Sequence, residues 1–186
     1  MQYRHGFLLS TLRHEEDPFF QSVIYLCEHA DQGALGLVIN KPLGQSGHKL
    51  LASTELAAPL YDYAKIFWGG PVFDQDRGFV LHRHLGQYWK GTSQLASDLY
   101  LTTTQDILPE LIQIPHDFYK IFLGYVYWQP KQLEYEMSQD HWLWLDYKAE
   151  FLFHPEPSQI WAEAYQHLGF LPQQIGCVDP GALLHH

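Results

Sequence analysis

Positive charge and cysteine are both scarce in this sequence. Its 186 residues hold 11 lysines and arginines against 21 aspartates and glutamates, which gives a formal net charge of -10 at pH 7. Such a charge opposes approach to the phosphates of DNA or RNA, so no direct nucleic-acid partner is expected. The two cysteines, Cys27 and Cys177, lie far apart in the chain. Reduced thiols in a cytoplasmic protein are therefore predicted, rather than a disulfide framework.

Long apolar runs and enzyme motifs are missing as well. The longest nearly apolar run, residues 121–128, is far shorter than a membrane span, and no apolar leader follows Met1, so a soluble protein without a membrane partner is expected. The nucleophile elbow G-x-S-x-G, the phosphate loop G-x-x-x-x-G-K-[ST] and the dinucleotide motif G-x-G-x-x-G are all absent. Among the 12 histidines, His82 and His84 form the best local pair, but they lack a third ligand. We predict no catalytic residue, no metal and no cofactor.

The hydrophobic content of 46% is sufficient for one domain with a core, which we place at residues 1–186. Strand and helix patterns are interspersed without regular βαβ alternation, which predicts an α+β fold with a mixed, mostly antiparallel sheet. The predicted strands are Tyr3–Leu9, Ser22–Glu28, Ala34–Ile39, Tyr63–Trp68, Gly78–His82, Gln87–Lys90, Leu99–Leu101, Phe118–Trp128 and Trp142–Leu145. The predicted helices are Gly47–Leu56, Gln105–Ile112, Lys131–Met137 and Pro157–Leu168, the last with Gly169 as its C′ residue.

The clearest local signal is a β-hairpin in the first quarter of the chain. Ser22–Glu28 is nearly all apolar and rich in β-branched and aromatic residues, and Ala34–Ile39 repeats that character. Asp31-Gln32-Gly33 separates the two runs, and Gly33 can adopt a positive φ there. The sequence therefore predicts that these two strands pair with each other.

The candidate functional residues are polar side chains beside glycines and prolines. Asn40-Lys41-Pro42 leaves a buried strand, Gly69-Gly70-Pro71 forms a turn, and Asp76-Arg77-Gly78 enters another strand. Free backbone amides at such turns, with the charges of Lys41 and Arg77, could bind an anion. The structural alternative is that Asn40 caps a turn, Arg77 pairs with a carboxylate and the glycines only permit tight bends.

Two histidines provide a catalytic alternative. Cys27 and His29 share one face of a predicted strand, although a thiol in an apolar run is more often an inert buried residue. His29 or His82 could instead act as a general base close to the guanidinium of Arg77. Together the candidate binding residues are His29, Asn40, Lys41, Pro42, Gly69, Gly70, Pro71, Arg77, Gly78 and His82.

The combined motifs resemble the AlgH/YqgE family of small bacterial proteins. The resemblance rests on the DPFFQSVIYLCEH run from Asp17, GALGLVINKP from Gly33, GGPV from Gly69, DRGFVLH from Asp76 and TTTQDIL from Thr102, together with a final part that contains Gly124-Tyr125, Trp128, Gln132-Leu133-Glu134 and Trp142-Leu143. Two departures occur. Val126-Tyr127 replaces a small Ala-Gly pair, and Pro130-Lys131 replaces the usual glycine before Gln132.

The resemblance implies a compact α+β fold with a branched β-sheet curling toward a pseudo-barrel, in a cytoplasmic family that carries a transcriptional-regulator label. We expect a non-enzymatic binding or indirect regulatory module that acts through a protein or a small anionic ligand. Its working surface is predicted to be the groove between the Asn40-Lys41-Pro42 turn and the turn that contains Gly69-Gly70-Pro71 and Asp76-Arg77. The alternatives are a hydrolase-type enzyme or anion-binding protein that uses the Asn40, Arg77 and His82 region, and a direct DNA-binding regulator.

Overall fold

Two five-stranded sheets and several short helices form the part of the chain that the computed structural model describes, namely residues 3, 5–11, 14–44, 66–72, 78–111, 113–115 and 117–170. The strands are β1 (Gly6–Ser10), β2 (Val23–Ala30), β3 (Gly33–Val38), β4 (Ile66–Trp68), β5 (Gly78–His82), β6 (Thr92–Ala96), β7 (Leu99–Thr102), β8 (Tyr119–Leu123), β9 (Val126–Trp128) and β10 (Trp142–Asp146). The helices are α1 (Leu108–Leu111), α2 (Gln132–Ser138), α3 (Ala149–Leu152) and α4 (Ile160–His167), and 3-10 turns at Gln105–Ile107 and Pro157–Gln159 precede α1 and α4.

The first sheet has the strand order β10-β1-β2-β3-β9 and is antiparallel throughout. The second has the order β4-β8-β5-β7-β6 and contains one parallel pair, β4 with β8. All five strands of the second sheet lie in the chain between β3 and β9 of the first. The predicted α+β class with mostly antiparallel pairing is confirmed, while the two sheets are not closed into a barrel.

The predicted hairpin of β2 and β3 is present. Gly33 has φ 129°, and a Cβ there would lie 2.3 Å from the carbonyl oxygen of Trp128, so both conformation and space favour glycine. The pairing register shifts between Leu26 and Glu28, which leaves Cys27 as the extra residue of a β-bulge.

Apolar side chains fill three layers. The central layer lies between the two sheets and includes Phe7 and Tyr25 from the first sheet and Phe79 and Phe122 from the second. Helix α2 covers the outer face of the first sheet through Leu133, and α1 contributes Leu108 and Leu111 to the layer outside the second sheet. Side chains of successive strand residues point to opposite faces, so both sheets are apolar on both sides.

Helix α4 closes the central layer against the first strand. The indole Nε1 of Trp161 and the hydroxyl of Tyr165 both donate to the carbonyl oxygen of Ser10, at 3.0 Å each. The helix ends before Gly169, which has φ 92° as expected of a C′ glycine. In the described part of the chain, no helix combines the length and apolar character needed to cross a membrane.

Several predicted elements need correction. The predicted strand Phe118–Trp128 is two strands, because Gly124 at φ 77° turns the chain from β8 in the second sheet to β9 in the first. The strand predicted at Gln87–Lys90 is wrong, since the neighbouring strand is the polar edge segment Thr92–Ala96. The strands that end at Trp68 and begin at Gly78 share a sheet, but β8 lies between them. The predicted helix Gly47–Leu56 lies outside the described residues.

Candidate functional site

Two of the predicted glycine and proline segments meet at one place, which we call the junction: residues 38–43, 66–72 and 123–126. The amide of Val38 donates to the carbonyl oxygen of Gly69 at 2.9 Å, and the amide of Trp68 donates to that of Lys41 at 2.8 Å. Pro42 forms an antiparallel bridge with Phe67. These backbone bonds join the two described segments directly and leave the outer surface of the junction for a ligand, while the Asp76-Arg77 part of the predicted groove lies outside the described residues.

The glycines of the junction allow two backbone segments to touch. The amide of Gly69 donates to the carbonyl oxygen of Leu123 at 2.7 Å, and a Cβ on Gly69 would lie 2.0 Å from the carbonyl oxygen of Gly124. A Cβ on Gly70 would lie 2.3 Å from the carbonyl carbon of Tyr125. Real Cβ atoms do not approach this closely, so these positions require glycine for space. Gly69 uses its amide inside the fold and does not offer it to an anion.

Asn40 has a structural role beside the junction. Its Oδ1 accepts a hydrogen bond from the amide of Val23 at 2.9 Å, and its Nδ2 donates to the carbonyl oxygen of Gln21 at 2.8 Å. The residue is 8% exposed. The side chain therefore fixes the start of β2 against the end of β3, which agrees with the structural alternative for this residue.

Lys41 is half-buried and forms the charged part of the junction. Its Nζ donates to the carbonyl oxygen of Pro18 and lies 5.6 Å from the ring centroid of Trp68, within cation–π range. Burial lowers the pKa of its ammonium group, and the nearby Asp17 carboxylate opposes that effect. Pro42, the next residue, and Pro71 at the neighbouring turn are both exposed.

The remaining predicted residues are distributed unevenly. Arg77 lies outside the described residues. Gly78 begins β5 and pairs with Leu123, one strand away from the junction, and a Cβ there would have only the Phe122 carbonyl oxygen near it, at 4.0 Å. His82 ends the same strand, about 13 Å further along at the usual rise per residue. His29 lies on β2 near the hairpin turn, away from the junction.

His82 is buried in a chain of hydrogen bonds. Its Nδ1 lies 2.8 Å from the carbonyl oxygen of Arg83, so this nitrogen carries the proton and donates. Its Nε2 then accepts from the hydroxyl of Thr102 at 2.8 Å, and Thr92 lies 2.7 Å from that hydroxyl. Burial lowers the pKa of the imidazole, and the Arg83 carbonyl opposes this. Both ring nitrogens are occupied inside the fold, which disfavours a role as general base.

His29 is similarly occupied at both nitrogens. Its Nδ1 accepts from the amide of Tyr3 at 3.1 Å, so Nε2 carries the proton and donates to Oε1 of Glu134 at 3.0 Å. A backbone hydrogen bond, and next the bond from His29, hold the pKa of the Glu134 carboxyl below its usual value. His29 thereby connects β2 to α2 and to the start of the chain, beside a cavity of about 240 Å³.

Cys27 does not form a reactive dyad with His29. Burial, and next the charge of Glu28, raise the pKa of the Cys27 thiol, which therefore stays protonated at neutral pH. The residue is the free cysteine of the β2 bulge and packs against the central apolar layer. Within the described ranges, no three histidine, cysteine, aspartate or glutamate side chains converge in a way that could hold a metal ion.

One buried cation near the junction was missed by sequence reasoning. Lys120 on β8 is 5% exposed, donates to the carbonyl oxygen of Ile39 at 3.2 Å and lies 4.4 Å from the ring centroid of Phe67. The available signal was a lysine inside an otherwise apolar predicted strand, a residue type that is seldom buried without partners. Lys120 therefore supports the strand that precedes the junction from within the fold.

Comparisons with known proteins agree on one family. The family model described as DUF179, AlgH-like, matches residues 7–173. A UPF0301 protein from Shewanella sp. strain W3-18-1 is 41% identical over 167 residues, which cover 86% of this chain and 88% of that protein. The solution structure of the AlgH protein from Pseudomonas aeruginosa has a TM-score of 0.75 and 33% identity and covers 94% of this chain and 93% of its own. A crystal structure of a protein from Corynebacterium diphtheriae, with a TM-score of 0.69 and 19% identity, covers 93% and 89% and shares the fold.

Proposed function

The chain belongs to the AlgH-like family, and from this premise we propose that it is a non-enzymatic binding module with an indirect regulatory role. Its working surface is the outer face of the junction around Lys41, Trp68 and Pro71. The partner presents an anionic group there, carried either by a small phosphorylated molecule or by an acidic side chain of a protein.

The observation that carries the proposal is the position of the Lys41 ammonium group. It lies against the Trp68 ring and donates to the Pro18 carbonyl oxygen, which together hold a cation in a fixed place at the protein surface. An ammonium group has three donors, so further donors are available to an incoming anion. Partial burial strengthens such a contact, because solvent screens it less than it screens a fully exposed pair.

Catalysis is the weaker alternative because the candidate bases are already bonded within the fold. His29 and His82 each use both ring nitrogens in hydrogen bonds within the described residues. A general base must have a free lone pair within reach of the substrate proton. The hydrolase hypothesis therefore has little support from these two side chains.

Direct DNA binding is also the weaker alternative. The net charge of -10 opposes contact with a polyanionic backbone. The transcriptional-regulator label implied by the resemblance then fits a protein that acts through another molecule. The proposal places that action in the cytoplasm, where a free cysteine such as Cys27 stays reduced.

The test is a thermal-shift screen of the purified protein against nucleotides and phosphorylated metabolites, with Lys41→Met and Lys90→Met measured in parallel. A ligand that binds only the folded state raises the apparent melting temperature. We expect a shift that Lys41→Met loses and Lys90→Met retains, since Lys90 is an exposed lysine away from the junction.

A second measurement covers a protein partner. Immobilised native protein and both variants are incubated with lysate, and retained proteins are compared. A partner held by the native chain and by Lys90→Met, but not by Lys41→Met, would support the same surface. Equal results for the native chain and Lys41→Met in both measurements would reject the proposal.

A further inference from the structure

Two buried tyrosine hydroxyls lack hydrogen-bond partners between the two sheets. Tyr25 on β2 is fully buried, and its hydroxyl has no partner among the described residues. The hydroxyl of Tyr147, directly after β10, is also buried and has no partner at full hydrogen-bond distance, while the Asp98 carboxylate faces it from further away. Buried polar groups in folded proteins are almost always hydrogen-bonded, and an unpaired one costs free energy. Two such groups side by side therefore require an explanation.

The two phenols are held close together by packing. Their ring centroids are 5.8 Å apart in an edge-to-face arrangement, and Phe7 packs against both, at 5.6 Å from Tyr25 and 6.0 Å from Tyr147. Aromatic contacts of this geometry restrict ring motion. The two rings are therefore packed so that their positions relative to each other are restricted.

A charged pair beside the phenols connects them to solvent. Arg83 follows β5, and its guanidinium lies 4.0 Å from the carboxylate of Asp98, with side chains 37% and 43% exposed. The faces of Phe153 and Phe118 support the guanidinium, at 4.8 and 5.8 Å from the ring centroids. A separation of 4.0 Å is the outer limit of an ion pair and too long for a hydrogen bond, so Asp98 does not saturate the donors of Arg83.

The composition of the group formed by Tyr25, Tyr147, Arg83 and Asp98 indicates the kind of ligand that it fits. Burial is the largest cause that raises the pKa of Tyr25, and it raises that of Tyr147 to about 12; the charge of Asp98 adds to both, and the approach of the Asp98 carboxylate to the Tyr147 hydroxyl adds to the second. Both phenols therefore stay protonated and can donate at neutral pH. Together with the guanidinium of Arg83, the group offers several donors and one acceptor, the carboxylate of Asp98. A complementary ligand is rich in acceptors and has one negative charge.

We propose that Tyr25, Tyr147 and Arg83 form a binding site for a small monocarboxylate at one end of the core between the sheets. The two phenol hydroxyls and the guanidinium donate to the carboxylate oxygens of the ligand. Asp98 competes with the ligand for Arg83. This site is separate from the junction and does not depend on the proposed function.

The test uses acetate, propionate and benzoate as probes in thermal-shift titrations of the full chain, with sodium chloride at equal ionic strength as the reference. At least one carboxylate is expected to raise the melting temperature beyond the chloride reference. Tyr25→Phe and Arg83→Met each weaken its apparent affinity about tenfold, because each removes one donor to a charged group. Asp98→Asn strengthens the affinity, since it removes the competing charge.

Two controls separate binding from structure. Tyr135→Phe removes an exposed hydroxyl on α2 and leaves the carboxylate shift unchanged, as does Lys90→Met, which removes an exposed ammonium group outside both proposed sites. Without ligand, Tyr25→Phe melts no lower than the native chain, because an unpartnered hydroxyl contributes no bond to lose. The proposal is overturned if no carboxylate exceeds the chloride reference, if Tyr25→Phe binds like the native chain, or if Tyr25→Phe alone melts well below Tyr135→Phe.

Discussion

The junction and the tyrosine pair differ in how completely their polar groups are used. At the junction, the Asn40 amide and the Gly69 peptide group are bonded within the chain, and close backbone contacts at the glycines leave no space for a ligand in its interior. Between the sheets, Tyr25 and Tyr147 hold buried hydroxyls without partners in the described residues. Residues that draw attention in the sequence thus serve assembly, while residues that resemble ordinary core have unused hydrogen-bonding capacity.

The largest expected effect tests the spatial role of glycine at the junction. Gly69→Ala places a Cβ 2.0 Å from the Gly124 carbonyl oxygen, a clash with backbone that no side-chain rotation relieves. We expect the free energy of unfolding to fall by about 3 kcal/mol or more, measured by urea denaturation. The matched variant Gly78→Ala meets only one atom, at 4.0 Å, and should stay within about 1 kcal/mol of the native chain. Similar losses in both variants would contradict this account.

The next effect compares a paired with an unpaired polar group. Asn40→Ala leaves the Val23 amide and the Gln21 carbonyl without their partner, so we expect a loss of about 2 kcal/mol in the free energy of unfolding. Tyr25→Phe removes a hydroxyl that has no partner and should leave the free energy unchanged or raise it by up to about 1 kcal/mol. Chemical denaturation of both variants measures the two changes in the free energy of unfolding. A larger loss in Tyr25→Phe than in Asn40→Ala would contradict this account.

The pH dependence of the free energy of unfolding tests whether the buried His82 is neutral in the folded protein. Because burial lowers the native-state pKa of His82 below its ordinary value of 6.5, protonation favours the unfolded chain. The contribution of neutral His82 to the free energy of unfolding is complete above about pH 6.5. This contribution is lost as the pH falls toward the native pKa, by at most about 1.4 kcal/mol per pH unit. His82→Gln should show a shallower pH dependence than the native chain, and the exposed His141→Gln should not. Equal slopes for all three proteins would contradict the buried, neutral state of His82.

The smallest effect separates backbone conformation from space. Lys131 has φ 66°, so the lysine occupies a left-handed conformation that favours glycine. Lys131→Gly should raise the free energy of unfolding by about 0.5 to 1 kcal/mol in the same denaturation assay. Lys90→Gly, at a position without positive φ, should give no gain. A loss in Lys131→Gly would show that contacts of the lysine outweigh the backbone cost.

Local patterns explain which parts of the fold were predictable. The β2–β3 hairpin depends on two apolar runs and the Gly33 turn, all within 20 residues, and it was predicted correctly. The break at Gly124 was not, because an apolar run with one glycine looks like one strand, and only tertiary structure carries the chain from one sheet to the other. The polar edge strand β6 has no alternating apolar pattern, so its neighbour was chosen instead.

At the candidate site, too, local sequence patterns did not predict the contacts that depend on tertiary structure. Proximity of the Asn40-Lys41-Pro42 and Gly69-Gly70-Pro71 turns was assumed from the sequence, and the backbone bonds between these segments bear that out. The partners of Asn40, at Gln21 and Val23, could not be read from spacing, because they depend on how β2 and β3 end together. A missing partner for Tyr25 is likewise invisible in a sequence, where a tyrosine between apolar residues indicates core.

The position of β1 has a consequence for synthesis on the ribosome. This first strand pairs with β10, and its Ser10 carbonyl oxygen accepts hydrogen bonds from two side chains of α4. Both partners are translated more than 130 residues later, so the nascent N-terminal segment emerges without them. The second sheet, whose strands lie within residues 66–123, can assemble while translation continues. We therefore expect the first sheet to close only after α4 leaves the exit tunnel, a long-range step that sets the pace of folding.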